Sequence, residues 1–423
     1  DFFLGEKSEY LNLYRIVGEA VKELRSETKL HIPLGGPSVS SWFANVQPNS
    51  IIYPERSLIY ELIKYCYNYR LPLDFISWHA YSSDPKLGKQ DTIYQKSFIK
   101  LIREWLSYFR FESSLPLVID EWNFDGPANI LSERGKDSFV AASFIPAHLK
   151  NMYEVGVDYQ TYFSLEDFGG NQEGVSRNLG IFGFDAEHLN WPQGNGLASS
   201  QSHYQGYAKA GYNTLRMLNL LGNELLPSSS GDDFVGVIAT KSTDYLAVLI
   251  YNYIDPQLAL NYLSRNIVYL NSEEKKSVLD IVKSDRMEKI LSGGLSLSTL
   301  RLTVKAKEMF NQAIGLNNLV KKFSTLKRKI KISFKGAKDL YLLSQYAVDS
   351  NCNRDCEFKA GDGKEVDFNQ DYLETLELSP YSVQLLVFKK KPPEPIAPAV
   401  EVAVVVEAKP EIAKEAVKDA ENR

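Results

Sequence analysis

Residues 115–124 read Leu-Pro-Leu-Val-Ile-Asp-Glu-Trp-Asn-Phe, an apolar run that stops at two neighbouring carboxylates, Asp120 and Glu121. An ionised carboxylate can attack an electrophilic carbon, and a protonated one can hand a proton to a leaving group. About forty residues upstream, a second apolar run ends in Trp78-His79-Ala80-Tyr81, which adds an imidazole and a phenol. Trp78, Trp122 and Asn123 add two aromatic faces and an amide beside them. Each of these groups also has an ordinary reading. Glu121 can be a loop acid where a strand surfaces, Asp120 a supporting carboxylate, and His79 a histidine satisfied inside the core.

Such side chains need strand ends to carry them. A short, continuous apolar run reads as a strand buried on both faces, as in a parallel sheet. From the start to about residue 222 these runs alternate with segments of helical spacing. Tyr10, Leu13, Tyr14, Val17, Val21 and Leu24 mark one helix. Lys29–Ser38 reads as a strand ending in a Gly-Gly-Pro turn. The helix 57–69 and the strand 73–82 follow, then the helix 94–109 and the strand 115–123. The helix 137–156 stops at Gly156, the strand 157–168 comes next, and a helix over 206–222 closes the series. Alternation of this kind predicts a parallel sheet with crossover helices. In a (β/α)8 barrel all strand ends meet at one face, which holds the site. Here those ends are Gly35-Gly36-Pro37-Ser38, Trp78 to Tyr81, Asp120 to Asn123, and Ser164 to Asp167 with Glu166 among them. The chain shows four such units where a barrel needs eight.

Past residue 230 the pattern becomes strands without regular helices between them. Ile330, Ile332 and Phe334 alternate with Lys and Ser, the mark of a half-exposed antiparallel strand. The expected layout is therefore a barrel segment over 1–229 and an antiparallel β-sandwich over 230–390. A basic, helix-prone insertion interrupts the sandwich at about 272–328. Residues 391–423 read as a low-complexity tail rich in Pro, Ala, Val, Glu and Lys.

Composition bounds the rest. The formal net charge of −5 does not point to a nucleic-acid partner. No apolar run is long enough to span a bilayer, so no membrane partner is expected. Cys66 reads as a small buried hydrophobe, and Cys352 and Cys356 could close a small loop disulfide in an exported protein. A metal site at His79 and Glu121 lacks a third ligand of suitable spacing. The glycine-rich run 168–174 lacks the Gly-Lys-Ser/Thr ending of a phosphate loop. No cofactor is expected.

The order of Gly-Gly-Pro, His-Ala-Tyr and Asp-Glu-Trp-Asn on successive strands resembles family 39 of the glycoside hydrolases, retaining (β/α)8 enzymes that include β-xylosidases and α-L-iduronidase. The resemblance covers about residues 1–253. It implies the C-terminal half of a barrel, strands five to eight, followed by the β-sandwich. It also implies a glycoside or oligosaccharide substrate and Glu121 as the nucleophile that closes the seventh strand. By the same resemblance His79 and Tyr81 orient the nucleophile or touch the sugar, Trp78, Trp122 and Asn123 form a sugar platform, and Gly36 and Glu166 line the pocket. A retaining enzyme needs a second carboxyl about 5–5.5 Å from the first. In the family that residue stands in an Asn-Glu-Pro-Asp motif, and Asp1 resembles the motif's last position. The expectation is thus a fragment of a longer, secreted or periplasmic enzyme, inactive alone. The alternative is a non-catalytic carbohydrate-binding protein built on the same fold.

Overall fold

The first helix, α1 (Lys7–Thr28), starts at a capping box in which the Glu6 amide donates to Glu9 Oε2 at 2.7 Å. Leu11, Tyr14 and Gly18 form its buried stripe. The computed structural model describes residues 5–39, 57–86, 97–124, 138–167, 179–184, 206–334, 339–368 and 373–391. After α1 come β1 (Gly35–Val39), α2 (Leu58–Tyr69), β2 (Phe75–Tyr81), α3 (Phe98–Tyr108), β3 (Leu117–Asn123), α4 (Phe139–Glu154) and β4 (Tyr159–Tyr162). The four strands pair in parallel in the order β1-β2-β3-β4, so α2, α3 and α4 are crossovers and all four strand ends lie on one side. The protein is an α/β protein with a parallel sheet.

The first strand corrects the sequence reading. Residues 29–34 are not a strand, and Gly35-Gly36-Pro37-Ser38 is no turn but the strand itself, paired with Phe75–Trp78. The glycines permit a close approach: a Cβ at Gly35 would stand 2.3 Å from the Phe75 carbonyl oxygen.

A short antiparallel pair, β5 (Phe182–Phe184) with β6 (Gly206–Ala208), precedes α5 (Ala210–Asn219). The helix read over 206–222 therefore begins later, because Gly206–Ala208 pairs as a strand. Next come β7 (Glu224–Leu226), β8 (Val235–Lys241) and β9 (Tyr245–Asn252). Four helices follow, α6 (Leu258–Asn266), α7 (Ser272–Val282), α8 (Arg286–Ser292) and α9 (Val304–Phe323). This helical stretch starts at Leu258, earlier than the sequence expectation of about 272. It has its own apolar core, in which Ala259 and Leu263 meet Met309, Phe310 and Ala313.

The remaining strands are β10 (Arg328–Ser333), β11 (Leu340–Val348), β12 (Lys364–Asp367), β13 (Leu373–Leu378) and β14 (Ser382–Lys390). They complete a six-stranded antiparallel sheet, β12-β11-β14-β9-β8-β7, and a β10-β13 ribbon. Strict alternation gives the large sheet two apolar faces. Ala247, Leu249, Val383 and Leu385 join the core around α4 and the parallel sheet. Val248, Ile250, Leu386 and Phe388 form a second core with Ile330, Ile332 and Phe334. Helix α4 lies between sheets and is buried from Val140 to His148 almost without a break, including Pro146. The turn after β11 carries Cys352 and Cys356 joined to each other, and Asn213 of α5 donates to the Cys356 carbonyl at 2.9 Å. No described helix is long and apolar enough to cross a membrane. The expected tail falls, beyond Lys391, outside the described residues, as does the run 168–174.

Candidate active site

Regular alternation would send Asp120 and Glu121 to opposite faces of β3. The structure avoids this with a register shift: Trp78 pairs with Ile119, but the next residue, His79, pairs with Glu121. Asp120 is the extra residue, and a bulge of this kind re-aims neighbouring side chains. Both carboxylates are in consequence partly accessible, at 29% and 22% of their side chains, between the buried Ile119 and Trp122.

The end of β2 supplies their partners. Tyr81 Oη donates to Glu121 Oε2 at 2.9 Å. His79 places Nδ1 3.4 Å from the same oxygen and Nε2 3.6 Å from Asp120 Oδ1. One imidazole, 6% exposed, thus stands between the two acids. From β1, Ser38 Oγ donates to Asp120 Oδ2 and lies 3.0 Å from Ser77 Oγ. Tyr10 of α1 has its phenol pushed up to about 12, first by burial and then by its neighbours Cys66 and Asp120. Two adjacent acids remain tolerable here because hydroxyl donors and an imidazole face them. Chemically, the arrangement offers a carboxylate with one oxygen held and oriented, beside a second that is bound in a supporting network.

Of the residues expected at the site, the structure brings together His79, Tyr81 and Glu121, with Asp120, read as a supporting carboxylate, beside them. Trp78 and Trp122 are corrected: they are 3% and 1% exposed and face the helices. Trp78 meets the Phe98 ring edge-on at 5.3 Å, and Trp122 stacks on His148 of α4 at 4.4 Å. Alternation along the strand explains this, since each tryptophan is the sequence neighbour of a side chain on the other face. Asn123 is corrected too. Its amide nitrogen donates to the Phe163 and Leu179 carbonyls at 2.6 and 2.7 Å, which ties strand ends together. Gly36 is buried against α1, where a Cβ would stand 2.9 Å from Tyr10 Oη. Glu166 is exposed and pairs with Phe182 through its backbone, and it makes none of the contacts around Glu121.

Sequence reasoning missed three groups. Ser38 closes the Gly-Gly-Pro-Ser strand end, but its contact with Asp120 depends on the pairing of three strands. Lys209, 1% exposed, forms an ion pair with Asp167 at 2.6 Å. His148 sits in an apolar stretch of α4, and nothing local distinguishes it. Among the described residues no group of three His, Cys, Asp or Glu side chains gathers to hold a metal.

Residues 1–271 match the family described as glycosyl hydrolases family 39. The chain belongs to that family. A β-xylosidase of Geobacillus stearothermophilus is 23% identical to this family 39 chain over 261 residues, 59% of the chain and 44% of the relative. Among solved structures, a glucosidase from Croceicoccus marinus matches with a TM-score of 0.54 at 17% identity, covering 92% of this chain and 66% of that one. A monomeric β-xylosidase from Caulobacter crescentus CB15 matches with a TM-score of 0.51 at 13% identity, with the same coverage of 92% and 66%. The family 39 chain shares their fold and spans less than two thirds of the length of each of these proteins.

Proposed function

We propose that the protein to which this chain belongs is a retaining glycoside hydrolase, with Glu121 as its nucleophile. The observation that carries the reading is the Tyr81 and His79 contact on Glu121 Oε2, in a chain of family 39. Both contacts fall on one oxygen. Oε1 is then the atom that attacks the anomeric carbon, forming a glycosyl-ester as the C–O bond to the leaving group breaks. Water later displaces the ester at the same carbon and restores the original configuration.

A second carboxyl must protonate the leaving oxygen and then activate that water. Asp120 does not suit the role, because the Ser38 hydroxyl already donates to its Oδ2 and it neighbours the nucleophile in sequence. We infer from the family resemblance that an Asn-Glu-Pro segment of the full-length protein supplies the proton donor; the chain covers 44% of the Geobacillus relative and 66% of the Croceicoccus one. On this reading β1 to β4 are the last four strands of a (β/α)8 barrel. The six-stranded sheet and the β10-β13 ribbon are the β-sandwich that follows. A β-xyloside is the substrate the Geobacillus relative favours.

The test is Glu121→Gln in the full-length protein, assayed on an aryl β-xyloside. Turnover falls by at least about a thousandfold if covalent catalysis is lost. Near-normal rates in the variant would remove Glu121 from the mechanism. A wild-type protein that binds xylo-oligosaccharides without turning them over would instead be a carbohydrate-binding protein on this fold.

A further inference from the structure

Among the described residues, the chain beyond Tyr81 has little support from its own sheet. Ser82 makes one backbone hydrogen bond to β3, from its amide to the Asn123 carbonyl at 3.3 Å. What holds the next residues comes from elsewhere in the sequence. Ser83 Oγ, 1% exposed as a residue, donates to Asp255 Oδ1 at 2.7 Å, and Tyr253 Oη donates to the Ser83 carbonyl. Asp255 is itself fixed by α6, whose Asn261 donates to Oδ2 at 2.7 Å. Asp84, with 6% of its side chain exposed, is paired with Arg265, also on α6, and its Oδ1 accepts the Lys86 amide at 3.0 Å. Helix α6 in turn packs through Ala259 and Leu263 on Met309, Phe310 and Ala313 of α9.

We propose that Arg265 and Asn261 are positioning residues: the helical segment α6–α9 clamps residues 82–84 so that the Tyr81 hydroxyl stays on Glu121 Oε2. This rests on the glycosidase reading given above. The physical argument is preorganisation. A hydrogen bond to a nucleophile acts in the transition state only if its donor is held within a few tenths of an ångström, and loops alone do not hold donors that well. Asp84 is a nearly buried carboxylate, so its ion pair with Arg265 is not a loose surface contact. The clamp thereby connects the helical stretch between β9 and β10 to the chemistry, although none of its residues touches the site.

The full-length enzyme is the material for the test, with Arg265→Ala, Arg265→Lys, Tyr81→Phe and the double variant assayed on an aryl β-xyloside. Arg265→Ala lowers kcat roughly tenfold while KM moves less than about twofold. Arg265→Lys restores most of the loss, since an ammonium can replace the Nη2 contact to Asp84 Oδ2. In the Tyr81→Phe background, Arg265→Ala costs nothing further, because both changes remove the same interaction. A lower melting temperature with kcat retained, or effects of the two substitutions that multiply, would overturn the proposal. Failure of the glycosidase reading shows differently, as a wild type without turnover. Hydrogen exchange then decides: faster exchange of the amides from Tyr81 to Lys86 in Arg265→Ala upholds the clamp, and unchanged exchange rejects it.

Discussion

His148 gives the protein a specific weakness to acid. Its ring is 1% exposed, stacked on Trp122 and close to Phe144, and among the described residues neither ring nitrogen has a hydrogen-bond partner. Burial pushes the imidazole down to about 3, against roughly 6.5 in an unfolded chain. The folded state therefore keeps the ring neutral, and between these values the unfolded state binds the extra proton. Stability from this group is complete above about pH 6.5 and is lost as the pH falls toward 3, at about 1.4 kcal/mol per pH unit. Between pH 7 and pH 5 the loss amounts to about 2 kcal/mol, a large part of the stability of an ordinary domain. His148→Phe removes the proton linkage and keeps an aromatic face for Trp122. Its stability at pH 7 should lie within about 1 kcal/mol of the wild type, because the replaced nitrogens were unpaired. Urea unfolding of both proteins at pH 7 and pH 5 measures the difference. The wild type should lose about 2 kcal/mol more than the variant on acidification. An equal loss in the two proteins refutes the argument, since other titrating groups are common to both.

Three further outcomes follow from the geometry. Tyr81→Phe removes the donor on Glu121 Oε2 and should lower kcat of the full-length enzyme about tenfold or more, with KM little changed; unchanged kcat would mean the hydroxyl does not act on the nucleophile. Lys209→Met takes a buried ammonium from Asp167 and should destabilise the fold by about 3 kcal/mol in urea unfolding, whereas a neutral result would show the pair contributes little. Gly36→Ala forces a Cβ to 2.9 Å from Tyr10 Oη at a φ of +153°, so the melting temperature should drop, and pairing it with Tyr10→Phe should recover part of the loss.

The parts of the fold legible in the sequence are those fixed by local periodicity. Alternation at Ile330, Ile332 and Phe334 is matched by the exposed and half-buried alternation of β10. The helical spacing of residues 10–24 became α1. Gly35-Gly36-Pro37-Ser38 misled because glycine and proline usually mark turns, whereas here close contact with Phe75 and Tyr10 selects them within a strand. Alternation alone could have turned Trp78 and Trp122 away from the site, since each adjoins a residue that faces it. What no local pattern reveals is the register shift at Asp120, which depends on how β3 pairs with β2. The same holds for the Arg265–Asp84 and Lys209–Asp167 pairs, which join residues far apart in sequence.

The central claim is that Glu121 forms the covalent bond. The most direct measurement incubates the full-length protein with an activated 2-deoxy-2-fluoro-xyloside, which slows the second displacement and lets the glycosyl-ester accumulate. Peptide mass spectrometry then locates the sugar. The account predicts a single adduct on the peptide carrying Glu121, absent in Glu121→Gln. An adduct on another carboxylate, Asp120 included, would contradict it.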